Sequence, residues 1–152
     1  MKVNEKLKQL GLQIPEAPKP LASYVPALKV GDLVYTAGQI PMQNGTLKYK
    51  GKVGETVSVE DAVEAAKICA INCISAVKSV INDLENIDRI VKVTVFVASA
   101  EGFNEQPKVA NGASDLLAEI FGENGKHVRS AVGVSELPID APVEIEMVVK
   151  VN

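Results

Sequence analysis

The stretch Val143-Glu144-Ile145-Glu146-Met147-Val148-Val149-Lys150-Val151 decides the fold class. Its odd-numbered residues are all apolar and its even-numbered ones are mostly charged, the alternation of a strand with one face on a core. Working back, residues 128–134 read as another strand, joined to this one by the link from Ser135 to Pro142. A link that short predicts antiparallel neighbours, with Arg129 and Glu144 able to reach one cleft. Before them, Val109, Ala113, Leu116, Leu117, Ile120 and Phe121 fall at helical spacing, with Pro107 in the first turn and Gly122 just past the end. Ile90 to Ala98 is dense in β-branched residues and reads as a half-buried or central strand. Val91, Val93, Val95 and Val97 make one of its faces, and Ile90, Lys92, Thr94 and Phe96 the other.

The longest element precedes that strand. Val59, Val63, Ala66, Ala70, Ile74, Val77, Ile81 and Leu84 predict a helix over about 58–84, N-capped by Ser58. Earlier still, Leu28 to Val30, Gly31-Asp32 and Leu33 to Ala37 form a tight hairpin. Asn44-Gly45 marks another turn, and Gly51 and Gly54 keep the chain loop-like up to Glu55. Residues 3–10 are a short amphipathic segment closed by Gly11. Pro15, Pro18, Pro20 and Pro26 then impose an extended arm. The order β-β-α-β-α-β-β is an α+β two-layer sandwich, one mixed sheet under two helices. The expected organisation is a single domain over 1–152, with residues 1–20 as an N-terminal helix and proline-rich arm. The sheet face away from the helices is too apolar for water, which an oligomer would remedy.

The 152 residues carry 16 Lys plus Arg against 19 Asp plus Glu, a net charge of -3. That balance argues against a dedicated nucleic-acid binder, and aromatics at 4% leave few stacking platforms. No run approaches the roughly 20 apolar residues of a membrane span, and Met1 to Lys6 lacks the apolar core of a secretory signal. Cys69 and Cys73 read as reduced core thiols of a cytoplasmic protein. No phosphate-binding glycine loop and no nucleophile elbow occur. His127, the single histidine, excludes a multi-histidine metal site within one chain. It sits in a glycine-flanked loop, nothing beside it resembles an activated nucleophile, and it is expected to be dispensable.

Three pieces of sequence carry a resemblance: Tyr24-Val25, then Tyr35-Thr36-Ala37-Gly38-Gln39-Ile40-Pro41, then Arg129-Ser130-Ala131-Val132-Gly133-Val134 with Leu137-Pro138 and Val143-Glu144-Ile145-Glu146. From about Ala22 to Val151 the chain resembles the RidA (YjgF) family of enamine/imine deaminases, also called L-PSP endoribonucleases, in its larger branch. The resemblance implies a chorismate-mutase-like fold and a homotrimer with a central β-barrel, helices outside and sites in the clefts between subunits. It implies cofactor-free, metal-free hydrolysis of short 2-imino acids to 2-keto acids and ammonia. Arg129 matches the arginine that grips the substrate carboxylate, and Glu144 the glutamate that orients the attacking water. Tyr24 matches a tyrosine closing the cleft from a neighbouring subunit, and Asn111 a helix asparagine at the site. Ala37, Gly38 and Ala131 complete the implied lining. Ala37 replaces a serine and Ala131 a cysteine of the family, so the identity of the imino acid stays open. The competing readings are a non-catalytic trimer binding small carboxylates and a ribonuclease that inhibits translation. For Arg129 the structural alternative is an ion pair with Glu144 or Glu146.

Overall fold

The computed structural model describes residues 2–19 and 21–152. In chain order the elements are α1 (Val3–Gln9), β1 (Ala27–Val30), β2 (Leu33–Thr36), β3 (Met42–Gln43), β4 (Thr46–Leu47), α2 (Val59–Ile81), β5 (Ile87–Ala98), α3 (Gln106–Phe121), β6 (Val128–Val134) and β7 (Val143–Val151). The main sheet runs β1-β2-β7-β5-β6, antiparallel throughout except for the parallel pair β5–β6. Helices α2 and α3 pack together on one face of it, α2 over β1, β2 and β7, and α3 over β5 and β6. This is the expected α+β sandwich, with the amphipathic segment at the N-terminus adding α1 as a third, short helix. Met1 and Pro20 lie outside the described residues; the rest of the arm, over 11–19 and 21–26, carries no helix or strand. Among the described residues, no helix is long and apolar enough to cross a membrane.

Local chemistry sets the ends of α2. Asp61 N–H donates to Ser58 Oγ at 3.1 Å, the anticipated N-cap. The helix stops at Ile81 rather than 84, because Asn82 turns to φ 66° and a 3-10 turn follows over Leu84–Asn86. The buried side of α2 is built of small residues: Ala62, Ala65, Ala66, Cys69, Ala70 and Cys73 are at most 0% exposed. Small side chains let α2 sit low on the sheet, where its thiols become polar ties. Cys73 Sγ donates to Ile145 O at 3.3 Å and Cys69 Sγ to Val143 O at 3.6 Å. Burial pushes the Cys69 thiol up and that of Cys73 to about 12, so both remain protonated donors.

Two expectations fail, for identifiable reasons. Strands β6 and β7 are not neighbours; β5 lies between them. Strand β5, helix α3 and strand β6 form a strand–helix–strand crossover, which places two strands parallel and side by side. The link from Ser135 to Pro142 then steps across the end of β5, where Ala98 N–H donates to Pro142 O and Ser99 N–H to Val134 O. In β5 itself the register against β7 shifts between Ile90 and Lys92. The irregularity turns Ile90 into the core at 0% exposure and leaves Val91 half-buried, so Ile90 joins Val93, Val95 and Val97.

The face away from the helices is ordered by the same registers. One row across it reads Leu28, Tyr35, Val148, Lys92, Val128, and another Glu144, Phe96, Val132. Leu28, Val30, Tyr35, Val128 and Val132 on this face are all exposed.

The α2–α3 crossing depends on Gly112, where a Cβ would collide with the carbonyl of Val63. Gly112→Ala is expected to cost about 1–3 kcal/mol by overpacking, lowering Tm by roughly 2–4 °C per kcal/mol for a chain of this size. Thermal unfolding followed by circular dichroism measures it; an unchanged or higher Tm would show that the helices part without cost.

Candidate active site

Residue 129 lies opposite Val93 in the β5–β6 register, and Val93 faces the helices. Arg129 therefore projects from edge strand β6 toward α3. Its Nη1 donates to Asn111 Oδ1 at 2.9 Å and to Ser114 Oγ at 3.1 Å, and Nη2 to Pro107 O at 3.5 Å. Pro107, Asn111 and Ser114 share one face of α3 because they are spaced by four and three. Ala131, two residues along β6, is half-buried on the same side, opposite Val95.

Among the described residues, no carboxylate lies within ion-pair distance of Arg129. The anticipated alternative of a bridge to Glu144 or Glu146 is therefore not what the fold builds. A half-buried cation held by neutral oxygens keeps its charge available for an anion. Nη1 has committed both of its protons to α3 and Nη2 one to Pro107 O, which leaves Nε and the second Nη2 proton as the fork.

Glu144 belongs to a second cluster. It is paired with Phe96 and so lies on the face away from the helices. Beyond Tyr35, the ladder between β2 and β7 breaks, and Met147 N–H donates instead to Thr36 Oγ1 at 3.0 Å. Pairing resumes where Gln39 and Ile145 exchange two hydrogen bonds, with one extra residue on the β2 side. That bulge lays Gly38 against Glu144: a Cβ on residue 38 would stand 2.7 Å from Glu144 Oε1. Burial raises the Glu144 carboxyl above its ordinary value, and the charge of Glu146 raises it further. Ala37 is half-buried beside Gly38, its N–H donating to Pro26 O at 2.8 Å. Tyr24 is exposed and shares with Gly38 a cavity of about 890 Å³ bounded by the arm, the β3–β4 hairpin and α2.

Within one chain the structure thus brings together Arg129, Asn111 and Ala131, and separately Glu144, Gly38 and Ala37, with Tyr24 on the rim of the cavity that Gly38 also lines. It does not bring Arg129 and Glu144 into one cleft, because β5 separates their strands and the two side chains leave opposite faces of the sheet. Ser114, which sequence reasoning passed over, stands beside Arg129, and His127, expected to be dispensable, stands behind it. Ser114 Oγ is 2.9 Å from His127 Nε2, so the histidine has a hydroxyl partner after all. The spacing of Asn111 and Ser114 on one helix face was the available signal; nothing local connects either to residue 127. Among the described residues, no group of three or more His, Cys, Asp or Glu side chains is placed to hold a metal ion.

Residues 4–149 match the family model described as "YjgF/chorismate_mutase-like, putative endoribonuclease". The chain belongs to this family, and its relatives include proteins named as RutC family and one named as a 2-iminobutanoate/2-iminopropanoate deaminase. Protein TCP17 of Trypanosoma cruzi is 38% identical over 152 residues, 99% of this chain and 95% of that protein. A protein of Dermatophagoides farinae named 2-iminobutanoate/2-iminopropanoate deaminase is 31% identical over 93% of this chain and 95% of its own length. The crystal structure of the protein Atu1372 from Agrobacterium tumefaciens superposes with a TM-score of 0.92 at 44% identity, covering 99% of this chain and 92% of that one.

The raised Glu144 carboxyl has a consequence for stability. Well below the ordinary glutamate value both folded and unfolded chains carry the proton there, and Glu and Gln are equivalent. As pH climbs through the raised folded value, an ionised Glu144 weakens the fold. Glu144→Gln is therefore expected to raise Tm at pH 7, with the gain vanishing near pH 3, about one unit below the ordinary glutamate value. Differential scanning calorimetry across that range is the check; a lower Tm at pH 7 would mean that a cation of a neighbouring copy neutralises the carboxylate.

Proposed function

We propose that this protein hydrolyses short 2-imino acids and their enamine tautomers to 2-keto acids and ammonia. The sites would lie in clefts between the subunits of a homotrimer. The observation that carries the reading is Arg129: a cation on an edge strand, paired with no carboxylate among the described residues, with Nε and one Nη2 proton uncommitted. Such a fork matches the two oxygens of a 2-imino acid carboxylate. The family and the name of the Dermatophagoides relative point to the same substrate class.

In this reading Glu144 and Gly38 of one subunit face Arg129, Asn111 and Ala131 of the next, and the separation of the two clusters within a chain is what requires a second copy. The exposed apolar rows of the sheet supply the surface to bury. With the carboxylate held by Arg129, water adds to the C=N carbon of the protonated imine. Glu144 takes a proton from that water, a task its raised pKa favours. Glu144 passes that proton to the carbinolamine nitrogen; the hydroxyl then gives up its own proton to solvent as the C=O bond forms and the C–N bond breaks, releasing ammonia and the keto acid. The backbone around Gly38, exposed and without a side chain, lets the substrate approach Glu144 closely. Tyr24 closes the cleft. No cofactor or metal is needed, and the compartment proposed is the cytoplasm.

A trimer mass by light scattering at micromolar concentration is expected, and a monomer would defeat the assembly. Arg129→Lys keeps the charge but loses the fork, and should lower kcat/KM by roughly 10²-fold, mainly through KM. Glu144→Gln should lower kcat by about 10²–10⁴-fold while 2-oxobutanoate still binds. Ammonia release from freshly generated imines, followed beside calorimetry, separates the enzyme from a carboxylate-binding module. For the module, Glu144→Gln changes nothing and the wild type never outpaces buffer. The description of the family model also names an endoribonuclease, but a net charge of -3 and aromatics at 4% count against that reading.

A further inference from the structure

A directed chain of hydrogen bonds runs from the backbone at Gly125 to Arg129. His127 Nδ1 is 2.7 Å from Gly125 O. A carbonyl only accepts, so in the neutral ring Nδ1 carries the proton and Nε2 keeps its lone pair. Ser114 Oγ, 2.9 Å from Nε2, must therefore donate to it. With its proton committed, that oxygen turns a lone pair to Arg129, and Nη1 donates to it at 3.1 Å. Each bond fixes the direction of the next.

Both ends of the chain are anchored. Gly125 is buried in a 3-10 turn over Gly122–Gly125, and a Cβ there would collide with the Leu117 carbonyl of α3. Arg89 Nη2 donates to Lys126 O at 3.2 Å and ties down the residue between. Asn111 Oδ1 takes the second Nη1 proton at 2.9 Å.

We infer that Ser114 and His127 are positioning residues for Arg129, locking its guanidinium so that the Nε and Nη2 edge faces the incoming carboxylate. The inference rests on the reading of Arg129 as the carboxylate anchor. It also decides against a serine nucleophile, although the Ser114–His127 spacing is within the range for one. Ser114 Oγ is loaded by a cation, and it lies inside α3, where the surrounding amides are engaged in helix bonds and none is free to stabilise an oxyanion.

The test compares wild type, Arg129→Lys, Ser114→Ala, His127→Ala and His127→Gln. The glutamine can offer Oε1 in place of Nε2 as the acceptor for Ser114. Calorimetry uses 2-oxobutanoate, kinetics use freshly generated 2-iminobutanoate, and nitrogen-15 NMR follows the Arg129 side chain. Ser114→Ala and His127→Ala should weaken 2-oxobutanoate binding and raise KM by about tenfold, with kcat within about threefold, the pattern of lost uniform binding. His127→Gln should recover most of the loss. The Nη protons of Arg129, resolved in wild type at low temperature, should merge in both alanine variants through freer rotation.

If Arg129→Lys loses the ligand while both alanine variants bind it as wild type does, the positioning role is overturned and the anchor stands. If Arg129→Lys binds as tightly as wild type, the anchor falls, and the NMR signals decide the positioning role alone. Unchanged Nη signals in Ser114→Ala overturn it. Loss of kcat beyond about 10³-fold in Ser114→Ala at constant KM would make the serine a reacting group, and overturns it equally.

Discussion

Strand β5 has to satisfy two neighbours and two faces at once, and the rest of the molecule is arranged around that demand. Val93, Val95 and Val97 need helices above them, while Lys92, Thr94 and Phe96 share the opposite face with the even-numbered residues of β7. The crossover through α3 fills one edge of β5 with a parallel partner, and β7 fills the other with an antiparallel one. Because β5 is interposed, the arginine of β6 and the glutamate of β7 belong to different surfaces. The two halves of the candidate site inherit their separation from this one pairing choice.

Close approach of the helices makes the arginine cluster possible. A stripe of alanines and thiols lets α2 settle on β7, and Gly112 lets α3 settle on α2. Helix α3 then hangs over the β6 edge at a height where a side chain of asparagine and one of serine reach a guanidinium. A bulkier crossing would lift α3, and Arg129 would swing out toward solvent with no neutral oxygens to hold it.

Strands β6 and β7 were legible to the residue, since strict alternation and β-branched density leave few alternatives, and so was the Ser58 cap. The faces of β5 were misread because a register shift is written in the partner strand's hydrogen bonds, not in the alternation itself. The placement of β6 was misread by counting the residues after it, whereas the helix before it governs the pairing. Arg129, Glu144, Tyr24, Ala37, Gly38, Asn111 and Ala131 came from likeness to a family, and the fold accounts for where each stands. The contact between Ser114 and His127 escaped because it is purely tertiary. A hydroxyl on one turn of a helix meets a ring beyond a 3-10 turn, and neither residue type announces the other.

The sheet order places β7, latest in sequence, at the centre, flanked by β2 and β5. A chain leaving the ribosome therefore holds four strands of an incomplete sheet with a gap in the middle. The hairpin β1–β2 and the unit β5–α3–β6 can form locally, but only the arrival of residues 143–151 joins them. Contacts between segments so distant in sequence close loops at high entropic cost, which slows folding. The same strand carries Glu144 and the ladder that holds Gly38. One half of the candidate site comes into being only in the closing step of folding, and α2, which among the strands packs chiefly on β7, waits for the same step to bury its stripe of alanines and thiols.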